Sequence, residues 1–435
     1  MTLTVPFLTD LDPQAAVKGS RDPLGIQTIW ARLGRHVVGN LTTVSTSVRD
    51  FTTLILGYYF AERVASEFGG DGDLPVFLRW EQLAAYARGE INGDWSFRGV
   101  ERVKKNLQDG AHVRLGTNAM AQILSNQKTY GLWGLYTVPA RSSGLVEGNP
   151  TRLTAVGRQL VEQLYLPIVT RCGLRNADAI TARLAKPWSD LAPRMADRRM
   201  LQAIAKVLDK RINSAEREVY RSHLLLGGPL DRTAGGQALL AAAMDSTLDD
   251  QEWTLSSSRV RNLAKQCRVQ GGAGAAVAER LERIHSSELL LAPAAAIFGL
   301  ILSSDGQTIA ELSRVVRRQW GSSVRTIDVN AVASLETELR DSTGEPESGK
   351  RWVQIAHTLA SGDYEQAIGL LMEQNSSVMK YRAGSAPWVD VTNGRLRVKF
   401  RDDGAELPKG AALPEYWRHS YFLDSLRSIA LALRV

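Results

Sequence analysis

The stretch SSGLVEGNPTRLTAVGRQLVEQLY, residues 142–165, decides how the early part of this chain is read. It holds a short apolar segment, GLV (144–146), and a break, EGNP (147–150). A second short segment, RLT (152–154), is followed by AVGRQLVEQLY (155–165), whose apolar spacing predicts a helix. Gly and Pro in the break predict a turn between two strands. Thr154 stands where a hydroxyl would cap the helix that follows. Upstream, YGLWGLYTVPARSS (130–143) predicts another helix, so the order expected is helix, strand, turn, strand, helix. Working further back, the pattern predicts helices at 77–88, 97–108 and 117–128.

This order resembles the tail of many bacterial winged-helix domains, in which the turn between the strands projects as the wing. The resemblance implies nucleic-acid contact, with Lys128, Arg141, Arg152 and Arg158 flanking the wing. Two features pull the other way. The helix in the recognition position is apolar and aromatic, with Tyr130, Leu132, Trp133, Leu135 and Tyr136, and Pro139 falls within it. A helix that reads base edges exposes Arg, Lys, Asn or Gln. The pattern therefore fits either a DNA-contacting wing or a purely structural hairpin.

The composition is that of a soluble globular protein, with 44% hydrophobic and 23% charged residues among 435. A net charge of +7 permits a polyanionic partner without requiring one. Cys172 and Cys267 are too few for a disulfide framework or a cysteine-rich metal site, and two free thiols fit a reducing cytoplasm. The opening MTLTVPFLTDLDPQ lacks the basic and apolar regions of a secretory leader. The longest apolar run, LLLAPAAAIFGLIL (289–302), is short for a bilayer span and carries Pro293, so a buried core helix is expected and no membrane partner.

The fold class expected is mainly α. An N-terminal helical segment (1–76) holds a strong helix that begins at Ser47 and Asp50. A winged-helix-like unit (77–165) and a central helical body (166–341) follow. STGEPESGK (342–350) is the best linker. The C-terminal segment (342–435) carries a β-hairpin, PWVDVTNGRLRVKF, with Asn393-Gly394 as a type I′ turn, and a closing helix over 414–433.

Further cations cluster in three places. Arg198 and Arg199 lead a basic helix pair with Arg194, Lys206, Lys210 and Arg211, interleaved with Asp197, Asp209, Glu216 and Glu218. Arg317 and Arg318, with Arg314 and Arg325, surround Trp320. Arg395 and Arg397 share one face of the C-terminal hairpin with Lys399. Each cluster fits phosphate contact, and each equally fits a solvated or packed surface. The six histidines show no metal-binding spacing, and the glycine pairs lack the Lys-Ser/Thr of a phosphate loop. No catalytic residue, metal or cofactor is therefore assigned.

Three stretches resemble a loosely defined group of uncharacterised bacterial proteins: DPLGIQTIWARLGRHVVGNLTTVSTSVRDFTTLILGYYFAE, the YGLWGLY…SGLV…LTAVGRQL region, and RAGSAPWVDV…LPEYWRHSYFLDSLRSIA. Members of that group look like components of mobile-element or anti-phage defence cassettes, beside helicase or nuclease subunits. The resemblance implies no catalytic residues. It fits a non-enzymatic, DNA-associated subunit of a defence complex that works with other protein subunits. Two alternatives stay open. One is an adaptor whose aromatic surfaces, around Trp133, Trp352, Trp388 and Trp417, meet a partner without nucleic acid. The other is a metal-dependent nuclease built around Asp390.

Overall fold

The computed structural model describes residues 22–69, 72–110, 112–340, 345–381, 386–401 and 406–434. Most of the segment read as irregular at the N-terminus, 1–21, and residues 342–344 of the expected linker lie outside them. The chain is mainly helical, with three two-stranded sheets among the described residues. It divides into two compact units. One comprises 1–37 and 250–421, the other 38–249 and 422–435.

In chain order the helices are α1 (Ile26–Arg35), α2 (Val48–Phe68), α3 (Asp73–Asn92), α4 (Val100–Asp109), α5 (Gln127–Tyr130), α6 (Leu132–Ser142) and α7 (Ala155–Gln159). There follow α8 (Leu166–Arg171), α9 (Asp178–Ala185), α10 (Arg198–Val207), α11 (Ser214–Tyr220), α12 (Gly236–Met244), α13 (Ser257–Val269) and α14 (Gly272–Leu302). The last are α15 (Ile309–Trp320), α16 (Val329–Ala333), α17 (Glu336–Leu339), α18 (Ser348–Ser361), α19 (Tyr364–Tyr381) and α20 (Leu423–Leu433). The strands are β1 (Val113–Gly116), β2 (Val146–Glu147), β3 (Arg152–Leu153), β4 (Trp188–Leu191), β5 (Val389–Thr392) and β6 (Arg395–Val398).

The unit of 38–249 and 422–435 is organised on α2 and α3. Ser47 caps α2 by accepting the Asp50 N–H at 3.3 Å, as the sequence predicts. Phe51, Leu54, Ile55, Tyr58 and Phe60 are all buried, and the buried Arg49, Asp50, Thr52 and Thr53 leave the first half of α2 enclosed nearly all round. At Gly57 the side chains of α3 press close: a Cβ there would lie 2.6 Å from the Phe77 ring. The helix expected over 117–128 does not form. Asn118 turns the chain by accepting the Ala121 N–H, and the buried Gln127 side chain binds Leu78 O and Glu81, leaving only the short α5. Sheet β1–β4 pairs Val113 with Leu191, a non-local contact that local patterning does not reveal.

The unit of 1–37 and 250–421 is organised on α14. The core helix expected over 289–302 is the second part of one helix of 31 residues that runs through Pro293. A buried proline in a helix loses one backbone bond. Here Leu289, Leu290, Leu291, Ile297 and Ile301 offset that by burial. This helix has the length and hydropathy to cross a membrane, but 72% of its most apolar window is buried inside the protein, as a core helix requires. The hairpin β5–β6 closes at Asn393 (φ 53°) and Gly394 (φ 72°), the left-handed pair a type I′ turn needs. The helix expected over 414–433 is confined to α20. Residues 416–421 leave the helical path because the backbone N–H groups of Arg418 and His419 donate to the buried carboxylate of Glu288 in α14.

Candidate nucleic-acid interface

The region 132–159 folds locally in the order read from the sequence: α6, the β2–β3 hairpin, then α7. Thr154 caps α7 by accepting the Gly157 N–H at 3.2 Å. The cations behave differently from the expectation. Arg152 bonds Asp73, and Arg158 bonds Glu62 and lies 3.8 Å from Glu162. Arg141 donates to Thr151 Oγ1 at 2.7 Å and to Gly148 O, stitching the turn to α6. These three side chains are spent on neighbours within the fold. Lys128, in α5, is exposed. The helix in the recognition position is embedded: Leu132, Tyr136, Pro139 and Ala140 are buried, and Tyr136 donates to Val44 O.

A second basic surface is built on α10. Its apolar positions Met200, Leu201, Ala203, Ile204, Ala205 and Val207 are buried, so the helix is amphipathic and its polar positions face outward. Arg198, Gln202 and Lys206 recur every four residues along the exposed face. Arg199 reaches across the end of α8. Its Nε lies 3.4 Å from Cys172 O, and a Cβ on Gly173 would collide with its guanidinium. Gly173, at φ 84°, keeps that space open. Arg171 and Arg175, both exposed, flank this turn in sequence. Nearby carboxylates already have partners: Asp178 with Arg63, Asp197 with Arg183, Glu90 with Arg194. Arg171, Arg175 and Arg199 thus place three exposed cations at the α8–α9 turn. Arg171 and Arg175 escaped the sequence reading because no helical spacing ties them to α10; only the packing of α8 on α10 brings them together.

The remaining candidates are scattered. Arg317 donates to Gly362 O at 2.8 Å and lies over the Tyr364 ring, and Arg318 is exposed. Trp320 is buried and donates to Pro408 O, so it is no stacking platform for bases. Arg395 donates to Gly306 O, Arg397 stands opposite Asp390 in the hairpin register, and Lys399 holds Asp390 at 2.7 Å. Of the aromatic residues considered for partner contact, Trp352 is wholly buried and offers no surface. Trp133 is half-buried and packs on Tyr58 and Phe77, Trp388 on Phe400, and Trp417 on Tyr421.

Beneath these surfaces lie buried ionic groups that the sequence did not signal. Arg88 sits between Asp50 (2.7 Å) and Asp94 (2.8 Å), tying α3 to α2. Arg49 bonds Glu216, which also accepts from Tyr165 Oη at 2.7 Å. Burial pushes the Glu81 carboxyl up to about 7, against the Leu132 N–H and the Gln127 amide that favour its charged form. Burial also pushes the Cys267 thiol up to about 11. Among the described residues no group of three or more His, Cys, Asp or Glu side chains is placed to hold a metal ion.

No family model, curated protein or solved structure matches this chain.

Proposed function

We propose that the chain is a non-enzymatic DNA-associated subunit that contacts the phosphate backbone through α10 and the α8–α9 turn. The observation that supports this is the contrast between two sets of cations. Arg152 and Arg158 are paired with acids within the fold and Arg141 is held by neutral oxygens, whereas Arg198, Lys206, Arg171 and Arg175 are exposed around Arg199. Exposed cations gathered on one surface suit phosphate contacts, which position a protein on DNA without reading sequence. In this reading α6, the β2–β3 hairpin and α7 form a winged-helix-like element that serves as scaffold, with Arg141, Arg152 and Arg158 holding it in place. The likeness of layout to defence and mobile-element proteins supplies the setting: a bacterial cytoplasmic assembly with a partner motor or nuclease.

The test is binding of labelled duplex DNA, followed by fluorescence anisotropy at 50 and 200 mM salt. With about four phosphate contacts, affinity falls by roughly two decades over that range. Absence of binding at 50 mM would overturn the proposal and leave the adaptor reading to be tested by co-purification.

A further inference from the structure

The unit of 1–37 and 250–421 contains a cavity of about 310 Å³ at the loop GSSVRT (321–326), which follows α15. That volume stands at the lower end of small-molecule sites. The loop supplies most of the lining, and Trp320, Leu413 and Pro414 are the apolar flank.

The loop is pinned in place. Gly321 donates its N–H to Arg317 O at 2.8 Å and accepts the Tyr364 hydroxyl at 3.2 Å. Val324 donates its N–H to Leu359 O at 2.9 Å. The Ser322 carbonyl is pressed against Gly362, where a Cβ would lie 1.6 Å from the oxygen. The other donors of the loop are unspent. Among the described residues, the backbone N–H groups of Ser322, Ser323, Arg325 and Thr326 meet no acceptor. Thr326 Oγ1 is buried without a hydrogen-bond partner. Folded proteins leave few such atoms unpaired once water and bound ions are counted.

Charge decides what the cavity takes. Among the described residues, Arg325 is the only charged side chain of the lining, and it is exposed. Lys409, also exposed, precedes Gly410 of the lining. The acids nearest in sequence, Asp328 and Glu415, lie outside the lining and have partners. Asp328 accepts the Ala331 N–H at 3.0 Å, and Glu415 the Ser258 N–H at 2.9 Å. The lining therefore combines a guanidinium, a surplus of N–H and O–H donors and an apolar flank, without a carboxylate. A phosphomonoester is a strong anion with several acceptor oxygens, and a guanidinium meets it in bidentate fashion. We infer that this cavity binds a small molecule that joins a phosphate group to an apolar body. The phosphate would sit on Arg325 and the 322–326 donors, with the apolar body against Leu413 and Pro414. The α10 surface belongs to the other unit, so this inference does not rest on the DNA reading.

The experiment is isothermal titration calorimetry of the full chain in Tris buffer with three probes: phenyl phosphate, inorganic phosphate and benzyl alcohol. Four proteins are compared. Beside wild type stand Arg325→Gln, which removes the charge, and Ser323→Leu, which fills the cavity. The fourth, Lys265→Gln, removes one exposed cation of the same unit outside the lining. Thermal unfolding confirms that each is folded. Phenyl phosphate is expected to bind wild type with a Kd of roughly 0.1–1 mM. Inorganic phosphate and benzyl alcohol, each lacking one half of the ligand, should bind at least tenfold more weakly. Binding of phenyl phosphate should weaken about tenfold or more in Arg325→Gln and in Ser323→Leu, and stay unchanged in Lys265→Gln. The inference is overturned if phenyl phosphate does not bind wild type at millimolar concentration, if either half-ligand binds equally well, or if Arg325→Gln binds no worse than Lys265→Gln.

Discussion

Arg152, in β3, bonds the carboxylate of Asp73, in the first turn of α3, across 79 residues of sequence. Glu62, in α2, does the same for Arg158, and its other oxygen accepts the Leu153 N–H. The hairpin and α7 are thereby tied to the two central helices of their unit by two of the cations read from the sequence as DNA contacts. The double variant Arg152→Glu/Arg158→Glu places like charges against these acids. Both arginines are partly exposed, which limits each pair to well under about 1 kcal/mol, with repulsion adding to the loss. Urea unfolding should show a drop of roughly 1–2 kcal/mol in stability. An unchanged midpoint would mean that the clamps hold nothing.

Arg88 lies between two buried carboxylates, Asp50 and Asp94. Arg88→Met removes the cation and leaves both acids without it. Breaking a buried pair from one side costs about 3–5 kcal/mol, so the variant should unfold at much lower denaturant or fail to accumulate. A loss below about 1 kcal/mol would show that water reaches these groups.

The pH dependence of stability should carry the signature of Glu81. Its folded pKa, about 7, lies above the ordinary 4.5. The folded state therefore holds the proton more tightly than the unfolded one. The stabilisation is fully present below about pH 4.5 and is lost as pH rises through 7, by about 3 kcal/mol in all. Glu81→Gln does not titrate. The stability of wild type relative to this variant should fall between pH 4.5 and 7 and level off above. A difference that stays flat with pH would contradict the burial of an ionisable Glu81.

Gly57 sits mid-helix in α2, where alanine would ordinarily gain about 1 kcal/mol. Its Cβ would fall 2.6 and 2.7 Å from carbons of Phe77 and 3.0 Å from Trp80, both buried. Overpacking costs about 1–3 kcal/mol. Gly57→Ala should therefore be destabilising in thermal melts. A raised Tm would show that α3 can move away.

What was legible in the sequence was local. The Ser47 and Thr154 caps, the Asn393-Gly394 turn and the amphipathic spacing of α10 are each written within a few residues. What was not legible depends on residues far apart. The charge on Arg152 is visible, but its neutralisation by Asp73 is not. Trp352 looks like any other tryptophan until the fold buries it. The non-helical path of 416–421 follows from Glu288, more than a hundred residues earlier, drawing two backbone N–H groups to itself. For the same reason Arg171 and Arg175 join the α10 surface only once α8 has packed on α10.

The most direct measurement is the salt dependence of duplex DNA binding by wild type, Arg198→Glu/Lys206→Glu and Arg152→Glu/Arg158→Glu, compared side by side. If α10 carries the phosphate contacts, the first variant loses at least about tenfold in affinity, and its slope of log affinity against log salt shrinks by about 2. The hairpin variant keeps the wild-type slope. If instead the hairpin variant loses binding while the α10 variant retains it, the assignment of the DNA surface to α10 is wrong.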